Sequence, residues 1–170
     1  MKKTDYTAEQ WIFSIYADDK KGLVGQLMTF FNRKSYDVNS LNVARTDISD
    51  LVLLTMEASV PQAELKPFVE RLKKIVEVYT VNVIPADGRL KKIGFYRLAI
   101  VTIDKLFWAT LQKYGASLSS LSADTLVISK TGSDRDLQEL YEQLEGPHLL
   151  GFCKSALIVE DCLVSFEEMS

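Results

Sequence analysis

QWIFSIYADDKKGLVGQLMTFFNRK, residues 10–34, changes its hydrophobic period once along its length. In residues 10–17, Trp11, Phe13 and Ile15 share one side of an extended chain, and Ile12 and Tyr16 share the other. A strand with two apolar faces sits inside a sheet and is covered on both sides. The polar turn Asp18-Asp19-Lys20-Lys21-Gly22 follows. Beyond it Leu23, Leu27, Phe30 and Phe31 recur at helical spacing, with Val24 and Met28 widening the stripe, which predicts a helix over residues 23–34. Arg33 and Lys34 close it with the charge that a helix C-terminus favours.

Working outward, residues 37–45 (DVNSLNVAR) alternate as a second strand, residues 46–50 turn, and residues 51–58 (LVLLTMEA) form a third strand, apolar on both faces. Pro61 opens a helix whose Leu65, Phe68, Val69, Leu72 and Ile75 share one side. Pro67 is expected in its first turn, where a missing N–H costs little. Residues 76–84 (VEVYTVNVI) make a fourth strand. Strand, helix, strand, strand, helix, strand is the split βαβ, or ferredoxin-like, order. Residues 85–92 read as a linker. The order then repeats more faintly: strand 96–103, helix 105–114, a hairpin of residues 117–122 and 125–130 around Ala123-Asp124, helix 134–144 capped by Ser133 or Asp134, and strand 152–159. The expectation is an α+β protein of two tandem βαββαβ domains, residues 1–86 and 87–170.

Composition fits a soluble globular chain: 170 residues, 47% hydrophobic and 25% charged, enough to form a core without disulfides or metals. A net charge of −3 with interspersed signs argues against a nucleic-acid surface. Cys153 and Cys162, nine residues apart, would point to opposite faces of one strand and are expected to be buried, reduced thiols. The start, MKKTDYTAEQ, lacks the apolar stretch of a signal peptide, and no run approaches the roughly 20 apolar residues of a membrane span, so a cytoplasmic protein is expected. There is no GxGxxG, P-loop or GxSxG motif. The single histidine, His148, follows Gly146-Pro147 and reads as a surface turn residue, and Asp134, Asp136, Glu167 and Glu168 read as solvated surface. No catalytic residue, metal site or cofactor site is expected in this chain.

One feature points to binding. At Asp19-Lys20-Lys21-Gly22-Leu23 the glycine allows a backbone conformation closed to other residues, and the helix that follows offers unpaired N–H groups and a positive dipole end to a carboxylate. A plain strand-to-helix turn has the same look.

The stretch from Trp11 to Val43, with Asp19-x-x-Gly22 and the later Asp37-Val38-Asn39-Ser40-Leu41-Asn42-Val43, resembles an ACT domain. More narrowly it is similar to the small, regulatory subunit of acetolactate synthase (acetohydroxyacid synthase). That family typically carries N-R-P-G-V-L at the turn, N-I-E-S-L-T-V on the second strand, and a second ferredoxin-like domain with a T-G motif that Thr131-Gly132 matches. The resemblance implies a non-catalytic subunit that forms a homodimer through Asn39, Ser40, Leu41 and Val43. It implies a branched-chain amino acid effector held at that interface by Asp19, Lys21, Gly22, Leu23, Val24, Asp37 and Asn42. It also implies a partner, the catalytic large subunit, carrying thiamine diphosphate and Mg.

The departures bear on the effector. Asp19 and Asp37 stand where the family has asparagine, Lys21 replaces the turn proline, and Asn42 replaces threonine. A carboxylate about 4 Å from the effector's carboxylate costs on the order of 4 kcal/mol at an effective dielectric near 20, comparable with all of a millimolar affinity. Contact with the effector's ammonium would favour it instead. The expectation is an altered or lost effector pocket on a retained scaffold. Two other functions fit the sequence less well: a free-standing ACT sensor acting on another enzyme or regulator, and a small enzyme on a ferredoxin-like fold.

Overall fold

The computed structural model describes residues 9–160 and Leu163. The chain divides into two compact units, residues 1–87 with 158–170, and residues 88–157. Each unit is a four-stranded antiparallel sheet with two helices in βαββαβ order, the expected tandem ferredoxin-like architecture.

In the first unit β1 (Glu9–Asp18), β2 (Val38–Arg45), β3 (Leu51–Val60) and β4 (Val78–Pro85) lie in the order β2-β3-β1-β4. The two-faced apolar strands β1 and β3 are central, pairing Phe13 with Met56 and Ile15 with Leu54. Helices α1 (Leu23–Arg33) and α2 (Gln62–Leu72) cover the face of Trp11, Phe13, Ile15, Val52, Leu54 and Met56. Phe13, Phe31 and Phe68 meet edge to face with centroids 4.8–6.0 Å apart, and Tyr36 adds a fourth ring 5.0 Å from Phe68. On the opposite face Tyr16, Leu51 and Leu53 pack with Ile48 and with Ile158 from the end of the chain.

In the second unit β5 (Lys92–Ala99), β6 (Ser117–Leu121), β7 (Thr125–Gly132) and β8 (Leu149–Ala156) take the order β6-β7-β5-β8, with α3 (Lys105–Tyr114) and α4 (Asp134–Leu144). Its core gathers Tyr96, Leu98, Phe107, Leu111, Leu126, Ile128 and Leu140. The buried Tyr96 hydroxyl donates to the Leu137 carbonyl at 2.6 Å. Asp104 caps α3 by accepting from the Phe107 N–H at 2.7 Å. Ser133 rather than Asp134 caps α4, within a capping box completed by Asp136. Asp134 accepts hydrogen bonds from Lys92 and Lys154 at 2.7 and 2.6 Å. Burial pushes the Asp134 carboxyl up, but the two lysines outweigh it and hold its pKa below the usual carboxylate value.

Several boundaries differ from the sequence reading. β4 begins at Val78 because Ile75 anchors inward and the chain turns after it, leaving Val76 exposed. β5 begins at Lys92, inside the charged stretch read as a linker, and stops at Ala99, where Ile100–Thr102 forms a 3-10 turn. The lysine's charge masks its place in the sheet. β8 runs Leu149–Ala156 rather than to Val159, since the chain returns to the first unit from Ile158 onward. Pro67 lies in the second turn of α2, not the first. Cys153 is exposed, not buried, on the edge strand β8. Cys162, Glu167 and Glu168 lie outside the described residues.

Gly132 shows what the Thr131-Gly132 pair does physically. A Cβ there would stand 2.8 Å from Asp136 Oδ2 and 2.9 Å from Asp136 Cβ, so only glycine lets the capping box close against β7. We expect Gly132→Ala to lower the unfolding free energy of the full chain by about 1–3 kcal/mol. The measurement is the urea midpoint, and an unchanged midpoint would mean that the contact relaxes freely.

Candidate functional site

The turn that joins β1 to α1 is held from both sides. The Asp18 N–H donates to the Glu77 carbonyl at 2.8 Å and the Asp19 N–H to the Asp50 carbonyl at 2.7 Å, so the loops before β4 and β3 clamp the end of β1. Gly22 caps α1 with φ 85°, in the left-handed region, and no side chain accepts from the first turn. The peptide N–H groups at the start of α1 are thus uncapped by any side chain and border a turn whose Asp19, Lys20, Lys21 and Gly22 are all exposed. A Cβ on Gly22 would meet nothing within 4 Å. Conformation, not crowding, requires glycine here.

Two residues escaped the sequence reading. Tyr79 on β4 donates its hydroxyl to Asp18 Oδ1 at 2.7 Å across 61 residues, and Lys20 pairs with Asp18 at 3.7 Å. The hydrogen bond to the Asp18 carboxylate, and that carboxylate's charge, raise the Tyr79 pKa above its ordinary value. An exposed tyrosine in an alternating strand gives no sequence signal of such a bond.

β2 is an edge strand, and its register decides which residues face where. Leu41 and Val43 lie opposite Met56 and Leu54, on the helix face, and are 37% and 43% exposed. Val24 at the start of α1 is likewise exposed at 37%. Asn39 is exposed and donates to Gln10 Oε1. A bulge between Val38 and Ser40 puts Ser40 and Asn42 on the opposite face, half-buried, level with Glu57 and Thr55.

The expected site residues therefore form two groups. Asp19, Lys21, Gly22, Leu23 and Val24 gather at the end of the sheet where β1 finishes, and Leu23 is buried in the core. Asp37 lies at the other end, where its carbonyl accepts from the Ser59 N–H at 2.9 Å. Counted along β3 from Leu51 to Ser59, the separation is about 27 Å. One copy of the chain does not bring Asp19 and Asp37 together. Among the described residues no group of three or more His, Cys, Asp or Glu side chains is placed to hold a metal ion. No helix among them is long and apolar enough to cross a membrane.

No family model matches the chain. Curated relatives do. The chain is 25% identical over 134 residues to the acetolactate synthase small subunit of Mycolicibacterium smegmatis, covering 78% of this chain and 79% of that one. It is 22% identical over 136 residues to the small subunit of Mycobacterium bovis, covering 78% and 80%. The chain is related to the small subunits of acetolactate synthase. The crystal structure of the acetolactate synthase small subunit from Thermotoga maritima superposes with a TM-score of 0.75 at 14% identity, over 87% of this chain and 96% of that one. That likeness carries the fold across both units.

The turn depends on Gly22 for its backbone and carries a high density of charge. Three carboxylates, Asp18, Asp19 and Asp50, and two lysines, Lys20 and Lys21, crowd this end of the sheet.

Two results are expected. Gly22→Ala destabilises the full chain by about 1 kcal/mol in chemical denaturation, because an L-residue at this φ is strained, while Gly22→Asn costs less. The phenol of Tyr79 is stabilised in its neutral form, so its contribution is complete below about pH 10 and is lost as pH rises through its raised pKa. Asp18→Asn brings that titration back toward the ordinary tyrosine value in a phenolate absorbance titration; an unmoved curve would show that Asp18 is not the cause.

Proposed function

We propose that the chain is the regulatory, non-catalytic subunit of an acetolactate synthase, acting in the cytoplasm in branched-chain amino acid biosynthesis. The single observation that carries this reading is the similarity to acetolactate synthase small subunits along more than three quarters of both chains. In this reading a separate catalytic subunit carries thiamine diphosphate and Mg, and this chain raises its activity. A coupling of about 1–3 kcal/mol between effector and partner suffices for a several-fold to hundred-fold response.

The geometry supports a homodimer through β2. An edge strand that exposes Leu41 and Val43 beside Val24 leaves both main-chain groups and apolar area without a partner. Two such edges related by a two-fold axis run antiparallel, so the start of one β2 lies beside the end of the other. Asp37 of one copy then approaches the turn at Asp19 of its partner, and a pocket for a branched-chain amino acid is completed only by both copies. The free-standing sensor is the second reading, favoured by the intact glycine turn alone, which any ACT domain would keep.

The test is acetolactate formation by the catalytic subunit from the same organism, with and without this chain, across a valine titration. Stimulation of the synthase supports the subunit role; no stimulation and no co-purification would overturn it. Leu41→Glu is expected to convert the dimer to monomer in sedimentation analysis while the fold persists. Asp19→Asn combined with Asp37→Asn is expected to tighten valine binding at least tenfold in titration calorimetry, on the order of the repulsion removed.

A further inference from the structure

The first sheet ends on one side at β2 and on the other at β4. The Ala86 N–H donates to the Gln10 carbonyl at 3.0 Å, which makes Trp11 and Pro85 a pair without mutual hydrogen bonds and fixes the alternation along the ladder. Thr80, Asn82 and Ile84 therefore turn their main-chain groups toward β1, and Val81 and Val83 turn theirs toward the open side. Opposite Ile15 and Phe13, the side chains of Val81 and Val83 lie on the helix face. These two valines thus offer donors and acceptors to the edge and apolar surface to the space beside α2.

That space is a groove of about 310 Å³. Leu65, Lys66, Val69, Glu70 and Lys73 line it from α2 and its C-cap, spaced three and four residues apart as a single stripe. Half-buried Leu65 and Val69 form its floor with the two valines. On the rim Glu70 is paired with Lys73 at 3.2 Å, whereas Lys66 has no ion-pair partner among the described residues. A fifth strand laid along β4 would bond to Val81 and Val83 and hang its alternate side chains into this groove. A bulge at Tyr79 and Pro85 bracket the strand, but residues 80–84 between them carry no charge to keep the edge unpaired.

We propose that β4 and this groove are the docking surface for an extended segment of the catalytic subunit, an assignment that rests on the reading of this chain as its regulatory subunit. The segment is apolar at two alternate positions, which lie over Leu65 and Val69, and carries a carboxylate that meets Lys66. Charge selects such a segment, since the unpaired cation on the rim favours an acidic partner. Symmetry argues against a further copy of this chain. In the homodimer formed through β2, both ends of the joined sheet are β4 edges, and copies added there would extend the sheet without closing it. A finite assembly leaves this edge to a different chain.

The experiment is amide hydrogen exchange, read residue by residue, on the full chain alone and saturated with the catalytic subunit from the same organism. In the free chain Val81 and Val83 are expected to exchange faster than Thr80, Asn82 and Ile84. In the complex their exchange should slow at least tenfold, while the edge strand β6 is unchanged. Lys66→Glu is expected to weaken binding of the catalytic subunit by about tenfold, and Lys66→Arg to leave it nearly unaltered. Lys66 is exposed, so neither variant threatens the fold. A complex that forms without slowing Val81 and Val83, or that is indifferent to Lys66→Glu, would overturn this assignment and leave the subunit reading standing. Failure of the unaltered chain to bind the catalytic subunit at all would overturn both.

Discussion

Four aromatic rings, those of Phe13, Phe31, Tyr36 and Phe68, hold the first unit in place. They tie the central strand to both helices and to the chain entering β2. Each edge-to-face pair adds about 0.5–1.5 kcal/mol to the burial of the rings themselves. Because α1 is fixed to β1 by Phe31 on Phe13, the start of α1 cannot drift away from the end of β1. The turn between them inherits its geometry from this contact, and Gly22 supplies the one backbone conformation that closes the gap. Whatever the turn binds, its precision comes from rings a full helix away.

The sequence made this half of the molecule readable because burial and periodicity coincide there. β1 and β3 are apolar on both faces and central, and α1 and α2 carry their stripes to the same core. Legibility failed where a charged side chain is buried or an apolar one is not. Lys92, inside the second sheet, reads as linker; Val76, 89% exposed, reads as strand. The site was legible in part. Gly22 and the Asp19 turn follow from local spacing, but the bond from Tyr79 to Asp18 joins residues 61 apart and has no local mark. Asp19 and Asp37 occupy opposite ends of a strand-length because β1 and β2 both run antiparallel to β3, so that α1 carries the chain back before β2 begins.

The two units share an order of elements and differ in how their edges are finished. β2 presents exposed Leu41 and Val43 on the side of the helices, with polar Ser40 and Asn42 half-buried behind them. Its counterpart β6 reads Ser-Leu-Ser-Ser-Leu and is exposed throughout. The second unit invests its specificity at the other side of its sheet, where the close approach of Asp136 to Gly132 and the lysines on Asp134 fix α4 to β5, β7 and β8. A repeated topology thus carries two different distributions of polar contact.

Ile158 gives the order of synthesis a structural meaning. The strands of the first sheet are complete once Pro85 has been made, but the residue that packs on Tyr16, Leu51 and Leu53 comes from beyond β8. At translation rates of about 5–20 residues per second, roughly 70 further residues mean a delay of several seconds. During that interval the first unit can assemble its strands while this part of its face still waits for its cover. A nascent chain therefore shows the ribosome's surroundings an apolar patch that the finished chain does not.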